Sequence, residues 1–264
     1  MPVDVSRLLR VMGTVVALAA AWPAAAQDRP QDRPPERLPT GFAYLRDIDA
    51  TIEQDIRYAG GNNFVGRPLP GYDAAECILQ DAVAAALKRV QADLAPTGFA
   101  LKVYDCYRPV RAVRAMAQWA GDGKDESETK RFFPSLPKRA LFAAGYISPA
   151  SAHSSGTAVD ITMVRLGGPR GGPSRAARYG PCTGTSAQRG ADDSVDMGTG
   201  FDCLDAKSHT LSPKVSDEQR RLRSMLVAAM ARHGFRNYYR EWWHFTFSRV
   251  RNKAHRDFPV RPRN

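Results

Sequence analysis

The sequence has no G-x-S-x-G, no G-x-x-x-x-G-K-[ST] and no H-E-x-x-H segment. Their absence removes the serine-hydrolase elbow, the phosphate loop of NTPases and the helical zincin motif from consideration. Cysteine is scarce, four in 264 residues, and no two have the C-x-x-C spacing of a zinc tetrathiolate. Beyond the N-terminus no stretch is apolar for the roughly 20 residues that a membrane span requires. No long internal repeat occurs.

The N-terminus is different. Arg7 and Arg10 precede an apolar run, Val11–Ala21, and then Ala24-Ala25-Ala26. Positive, apolar, small: this order predicts a secretory signal peptide over residues 1–26. The run is short for an uncleaved anchor, the alternative reading. The expected destination is the periplasm of a bacterial envelope. Cys77, Cys106, Cys182 and Cys203 would then meet an oxidising compartment, and an even count favours two disulfides. Of the three pairings, Cys77–Cys106 and Cys182–Cys203 join neighbouring segments and are expected.

The formal net charge is +11, and removing Arg7, Arg10 and Asp4 with the signal leaves +10. The basic residues are scattered, with one dense cluster at Arg249–Arg263. Export and scatter argue against nucleic acid as a partner. Attraction to an anionic envelope surface fits the charge, and so does a merely solubilising surface. The sequence does not speak to oligomeric state.

Residues 27–40 are Pro-rich and charged with nothing to bury, and read as a linker. Residues 41–264 read as one domain. Alternation predicts strands at Asp47–Arg57, Phe99–Tyr107 and Thr157–Val164, and an aromatic β-prone segment at Glu241–Phe247. Helical spacing marks Ala74–Leu94 and Val110–Trp119. Ser216–His233 has Ser216 as N-cap, Gln219 three residues on and Gly234 beyond its end. Tyr58–Tyr72 reads as loop, and 121–139 as loop with a short helix. The Gly-, Arg- and Pro-rich stretch 165–200 reads as a surface excursion of the kind that forms lids and binding loops. The expected fold is α+β, a small mostly antiparallel sheet with flanking helices.

Three short segments carry chemistry. In Ser151–Asp160 a histidine, His153, sits in a Ser/Gly turn, and Asp160 lies inside an apolar strand. A carboxylate there is costly unless a cation or hydrogen bonds compensate it. In Glu241-Trp242-Trp243-His244 two titratable groups flank paired tryptophans. On a regular strand they would point to opposite faces, so a shared site demands a bend between them. In Tyr104–Pro109 the proline fixes a turn that carries Arg108, suited to clamping an anion. Each segment alone could be structural. Together His153, Asp160 and His244 form a His₂Asp donor set, Glu241 can act as general base and Arg108 can stabilise an oxyanion. That is the equipment of metal-assisted amide hydrolysis.

On the segments IRYAGGNNFVGRPLPGY, VYDCYRP, GYISPASAHSSGTAVDIT, DMGTGFD and EWWHF the chain resembles the VanX-type D-alanyl-D-alanine dipeptidases. These are relatives of the zinc D,D-carboxypeptidases and of the Hedgehog fold. The resemblance implies one Zn2+ held by His153, Asp160 and His244, with Glu241 as base and later acid, and Arg108 at the tetrahedral intermediate. It also implies Asp196 as partner of the substrate ammonium, and Ser151 and Tyr146 as pocket residues for a small dipeptide. Alternatives are a D,D- or L,D-carboxypeptidase on longer cell-wall peptides and a non-catalytic zinc module that binds peptide. Two departures stand out. Cys106 replaces the Gly usual in the DGYRP turn, and Arg165–Arg189 is longer and more basic than the family pattern.

Overall fold

Seven consecutive buried residues, Phe99–Asp105, form β4, and Ala158–Arg165, buried in all but its last residue, forms β5 beside it. These are the two long strands of the computed structural model, which describes residues 1, 37–124, 127–168, 179–190 and 192–263. The chain divides into Met1–Arg37 and Leu38–Asn264. The expected signal segment and the linker through residue 36 lie outside the described residues, as does part of the 165–200 excursion.

A five-stranded sheet has the order β2-β4-β5-β7-β6, with β2 at Glu53–Gln54, β6 at Phe235–Asn237 and β7 at His244–Phe247. β2 runs parallel to β4 and the other neighbours are antiparallel. The mostly antiparallel α+β architecture expected above is the one observed. A second, two-stranded sheet pairs β1, Phe42–Tyr44, with β3, Ile78–Gln80. Helix α1 is the short Leu45–Ile48. Helices α2 (Asp81–Leu94), α3 (Val110–Gly121) and α5 (Asp217–Arg232) are the longer ones, and α4 is the single turn Ser186–Arg189.

Capping explains several boundaries. The Ser216 hydroxyl accepts from Gln219 N while the Gln219 side chain accepts from Ser216 N, so α5 starts where its capping box predicts. After α2, the turn Ala95–Thr97 ends in Gly98 at φ 83°, a left-handed stop. Helix α2 starts later than Ala74 because Cys77 is held in a disulfide and Ile78–Gln80 is taken up by pairing with β1. The expected strand Asp47–Arg57 is also interrupted. Asp49 Oδ1 accepts from Thr51 N (3.0 Å) and Thr51 Oγ1 (2.6 Å), turning the chain and leaving only β2 extended.

Register matters most for function. Asp105 of β4 pairs with Asp160 of β5, and Asp160 pairs with His244 of β7. A register shift between Val103 and Asp105 adjusts β4 just before this row. Three polar residues are thereby lined up across three adjacent strands. The basic C-terminal segment is tied down rather than free. Val260 is fully buried and bridges Tyr72, and Phe258 stacks on Tyr107 with ring centroids 4.0 Å apart. Both expected disulfides, Cys77–Cys106 and Cys182–Cys203, are formed. Among the described residues no helix is long and apolar enough to cross a membrane.

Candidate active site

His153 sits in a 3-10 turn, Ala152–Ser155, capped by Ser151, whose side chain accepts from His153 N (3.3 Å). The turn ends at Gly156, φ 68°. A Cβ there would lie 2.5 Å from the Phe42 ring, so glycine is required by both conformation and space. The His153 Nδ1–H donates to the Cys106 carbonyl (2.7 Å), which leaves Nε2 as the free lone pair. Asp160 Oδ1 lies 3.3 Å from that Nε2 and 3.0 Å from His244 Nδ1, and the two ring nitrogens are 3.1 Å apart. On the far side of its ring His244 Nε2 faces Thr246 Oγ1 at 3.4 Å.

These distances test the donor set. Ligands at about 2.0–2.1 Å from a tetrahedral ion stand roughly 3.3 Å apart. The three atoms meet that spacing with two nitrogens and one carboxylate oxygen, so His153, Asp160 and His244 fit a metal ion. Burial alone would raise the Asp160 carboxyl, but the charges and hydrogen bonds of His153 and His244 hold it well below the usual carboxylate range. It stays ionised, as a ligand must.

The bend demanded between Glu241 and His244 is present. Strand β7 begins only at His244, and His244 N closes a turn on the Glu241 carbonyl (3.3 Å). The Glu241 carboxylate consequently reaches to 3.9 Å from His244 Nδ1. Burial, with Asp160 adding repulsion, pushes the Glu241 carboxyl up to about 8, within the range of a group that exchanges protons near neutrality. Arg108 comes from the turn after β4. Its Nε and Nη2 bind Asp105 Oδ2 (2.9 and 2.8 Å), Nη2 reaches Asp160 Oδ2 at 3.4 Å, and the guanidinium lies over the Tyr58 ring. The Tyr72 hydroxyl donates to the other Asp105 oxygen (2.6 Å). Arg108 is thus a fixed cation, not a mobile one.

One cavity of about 240 Å³ gathers Arg108, His153, Asp160, Glu241 and His244 together with Ser151 and Tyr146. Asp196 is not there. It lines a second cavity of about 320 Å³, where Arg189 Nη2 contacts its Oδ1 (2.5 Å), Gln219 Nε2 its Oδ2 (2.9 Å) and Gly198 N donates to Oδ1. Both its oxygens are engaged and it lines a cavity other than that of His153, Asp160 and His244, so the expected ammonium role does not fit its position. The other end of the same DMGTGFD segment, Asp202, does line the metal cavity. Its two oxygens accept from the Tyr58 hydroxyl (2.9 and 3.1 Å). Burial, then the charge of Asp160, raises its carboxyl well above the usual range, against an opposing pull from Arg108. Asp202 has φ 57°, rare for a non-glycine residue. The sequence signalled two aspartates six residues apart; only the fold separates them. The apolar lining from Phe64, Met116, Ile147, Leu204 and Trp243 was equally unreadable in sequence.

Such a centre can bind a cation, move a proton at Glu241 and stabilise negative charge at Arg108, beside the buried carboxyl of Asp202. Those capacities define a metal-dependent peptidase. The family model for D-ala-D-ala dipeptidase matches residues 39–169 and 177–261, and the chain belongs to that family. D-alanyl-D-alanine dipeptidases of Enterococcus faecalis (30% identical, covering 79% of this chain and 92% of the relative), Streptomyces coelicolor (31%, 83% and 98%) and Enterococcus faecium (29%, 84% and 98%) are similar to it. The unmatched residues 170–176 fall within Arg165–Arg189, the stretch read as longer than the family pattern.

Proposed function

We propose that the protein is a zinc dipeptidase that hydrolyses D-alanyl-D-alanine to two D-alanine molecules. The observation that carries this is the His153–Asp160–His244 donor set opening into a cavity of only about 240 Å³. Pockets for drug-sized ligands run from roughly 300 to 1,000 Å³, so the volume suits a substrate the size of two alanines. The names of the relatives support the same substrate.

When bound, zinc supplies Lewis acidity toward the amide carbonyl and lowers the pKa of water. The remaining roles belong to the chain. Glu241 takes the proton of the attacking water and returns it to the leaving amine nitrogen as the C–N bond breaks. Arg108 stabilises the negative charge that develops on the carbonyl oxygen. Asp202 holds the substrate ammonium, in the role first expected of Asp196. Ser151 and Tyr146 contact the remainder of the dipeptide. The test is a panel of D-Ala-D-Ala and longer stem peptides on zinc-loaded protein. D-alanine release from the dipeptide, falling with added residues, is expected. Preference for longer peptides would make it a carboxypeptidase, and zinc binding without cleavage a binding module.

The proposal extends to location. The signal segment and two disulfides support export to the periplasm, and fractionation of cells producing the full chain tests it. Attraction to the anionic envelope is supported by Arg249, Arg251, Lys253 and Arg256. All four are exposed and, among the described residues, have no acidic partner. The strap that carries them is pinned through its main chain, with Arg256 N donating to the Ser154 carbonyl. Salt-sensitive binding to vesicles containing phosphatidylglycerol, weakened by R251E/K253E, is the expected result.

A further inference from the structure

The metal cavity has a splint behind it. Residues Cys77–Gln80 lie outside the five-stranded sheet and pair only with β1, in a two-stranded sheet of the kind that is marginal by itself. Yet this segment touches both parts of the site. Tyr107 N donates to the Ile78 carbonyl (2.9 Å), beside Arg108. Gln80 N donates to the Gly156 carbonyl (3.1 Å) and Gln80 Nε2 to the Ser155 carbonyl (2.7 Å), in the turn that carries His153. The splint therefore spans the Arg108 turn and the metal turn.

One covalent bond fastens it. Cys77 at the head of the splint is bonded to Cys106, whose carbonyl receives the His153 Nδ1–H at 2.7 Å. Cys106 also follows Asp105, the partner of Arg108. The bond thus joins the splint to the residue that orients a metal donor. Partners that orient a metal-bound histidine are worth on the order of 10- to 100-fold in metal affinity. The other disulfide, Cys182–Cys203, has no such contact with a donor; Cys203 instead adjoins Asp202.

We propose that the Cys77–Cys106 disulfide is a positioning device for the metal donors, so that the chain reaches full metal affinity only where that bond can form. The inference rests on the metallopeptidase reading of the site. Closing the bond removes two protons and two electrons from the two thiols, and a disulfide oxidant accepts them and leaves as a dithiol. In a reducing compartment the thiols persist, and the splint is then held against Cys106 by non-covalent contacts alone. Both cysteines are buried, at 0% and 2% exposure, so the bond is set during folding and is shielded from exchange afterwards. A chain whose Cys77 and Cys106 thiols are still reduced is therefore a weaker metal binder.

The test compares full-length oxidised protein with C77A/C106A and C182A/C203A. Each is loaded with Zn2+ and titrated with a chelator, and the Co2+-substituted spectra are recorded. C77A/C106A is expected to lose about 10-fold or more in metal affinity, with a changed Co2+ spectrum. C182A/C203A is expected to stay within about twofold of the parent and to show its defect in KM. The single variants C77A and C106A should each match the double, because either one breaks the same bond. Folded C77A/C106A with parental affinity overturns the proposal, and so do equal losses in both double variants, which would indicate general loosening. If C77A/C106A does not fold, Gln80→Ala decides. It cuts the splint's hydrogen bond to Ser155 and should lower affinity several-fold, and parental affinity there overturns the proposal as well. If the parent protein itself binds neither Zn2+ nor Co2+, the metallopeptidase reading fails and this inference falls with it, an outcome distinct from a metal-binding parent matched by C77A/C106A.

Discussion

The two cavities have opposite electrostatics. In the larger, Asp196 is met by Arg189 and Asp192 by Arg57, each within the cavity. In the smaller, Asp160, Asp202 and Glu241 face one arginine, and that arginine's closest carboxylate is Asp105, from outside the group. Burial raises the carboxyls of Glu241 and Asp202, and the charge of Asp160 adds to the effect. Two cations relieve it in the proposed complex, a divalent metal at Asp160 and a substrate ammonium at Asp202. Unbalanced buried charge, rather than volume, distinguishes the functional cavity from the larger one.

The largest expected effect is at the proposed proton carrier. Glu241→Gln should lower kcat by about 10²- to 10⁴-fold with metal content unchanged, read by metal analysis beside steady-state rates. An active Glu241→Gln would remove the smaller cavity's claim to the chemistry. Next, Arg108→Lys should cost on the order of 10²-fold in kcat, because a point charge on a flexible stem cannot keep both the Asp105 contacts and the charge at the reacting oxygen. Asp202→Asn should act on KM, raising it by about 10- to 100-fold, the equivalent of losing a hydrogen bond to a charged group.

The comparison has a pH signature in metal-free protein. Asp202 and Glu241 have folded pKa values above their unfolded ones. The stability they contribute is complete below about pH 4 and is lost as pH rises toward their folded values, about 8 for Glu241. Thermal melting of metal-free protein should fall across that window, and Asp202→Asn should flatten the decline. The smallest effect belongs to the larger cavity. Asp196→Asn should leave kcat/KM within about threefold, since its half-exposed pairing with Arg189 is of the class that contributes about 0–1 kcal/mol. A KM defect in Asp196→Asn larger than that in Asp202→Asn would reverse the assignment of the two cavities.

Strong local signals were legible in the chain. The capping box at Ser216, the buried runs of β4 and β5, and the His153, Asp160 and His244 donors could all be read, because each depends on neighbours a few residues away or on the cost of a charge in an apolar strand. The bend at Glu241–His244 could be demanded in advance, since strand alternation forbids the alternative. The expected strand at Asp47–Arg57 failed where a side chain, Asp49, captured the backbone at Thr51. The start of α2 was missed because β3 exists only through its pairing with β1.

The sequence by itself offered the candidate donors His153, Asp160 and His244, the candidate base Glu241 and the candidate cation Arg108, and favoured one of three cysteine pairings, because these follow from residue chemistry and short-range order. Tertiary structure decided which aspartate of DMGTGFD lines the cavity of His153, Asp160 and His244. The two are six residues apart, identical in chemistry, and end in different cavities because Asp196 is captured by Arg189 and Gln219 while Asp202 packs under Tyr58. It also decided that the Cys77–Cys106 bond lies behind a metal ligand. No spacing in the chain encodes that, since His153 meets the Cys106 carbonyl across 47 residues of sequence.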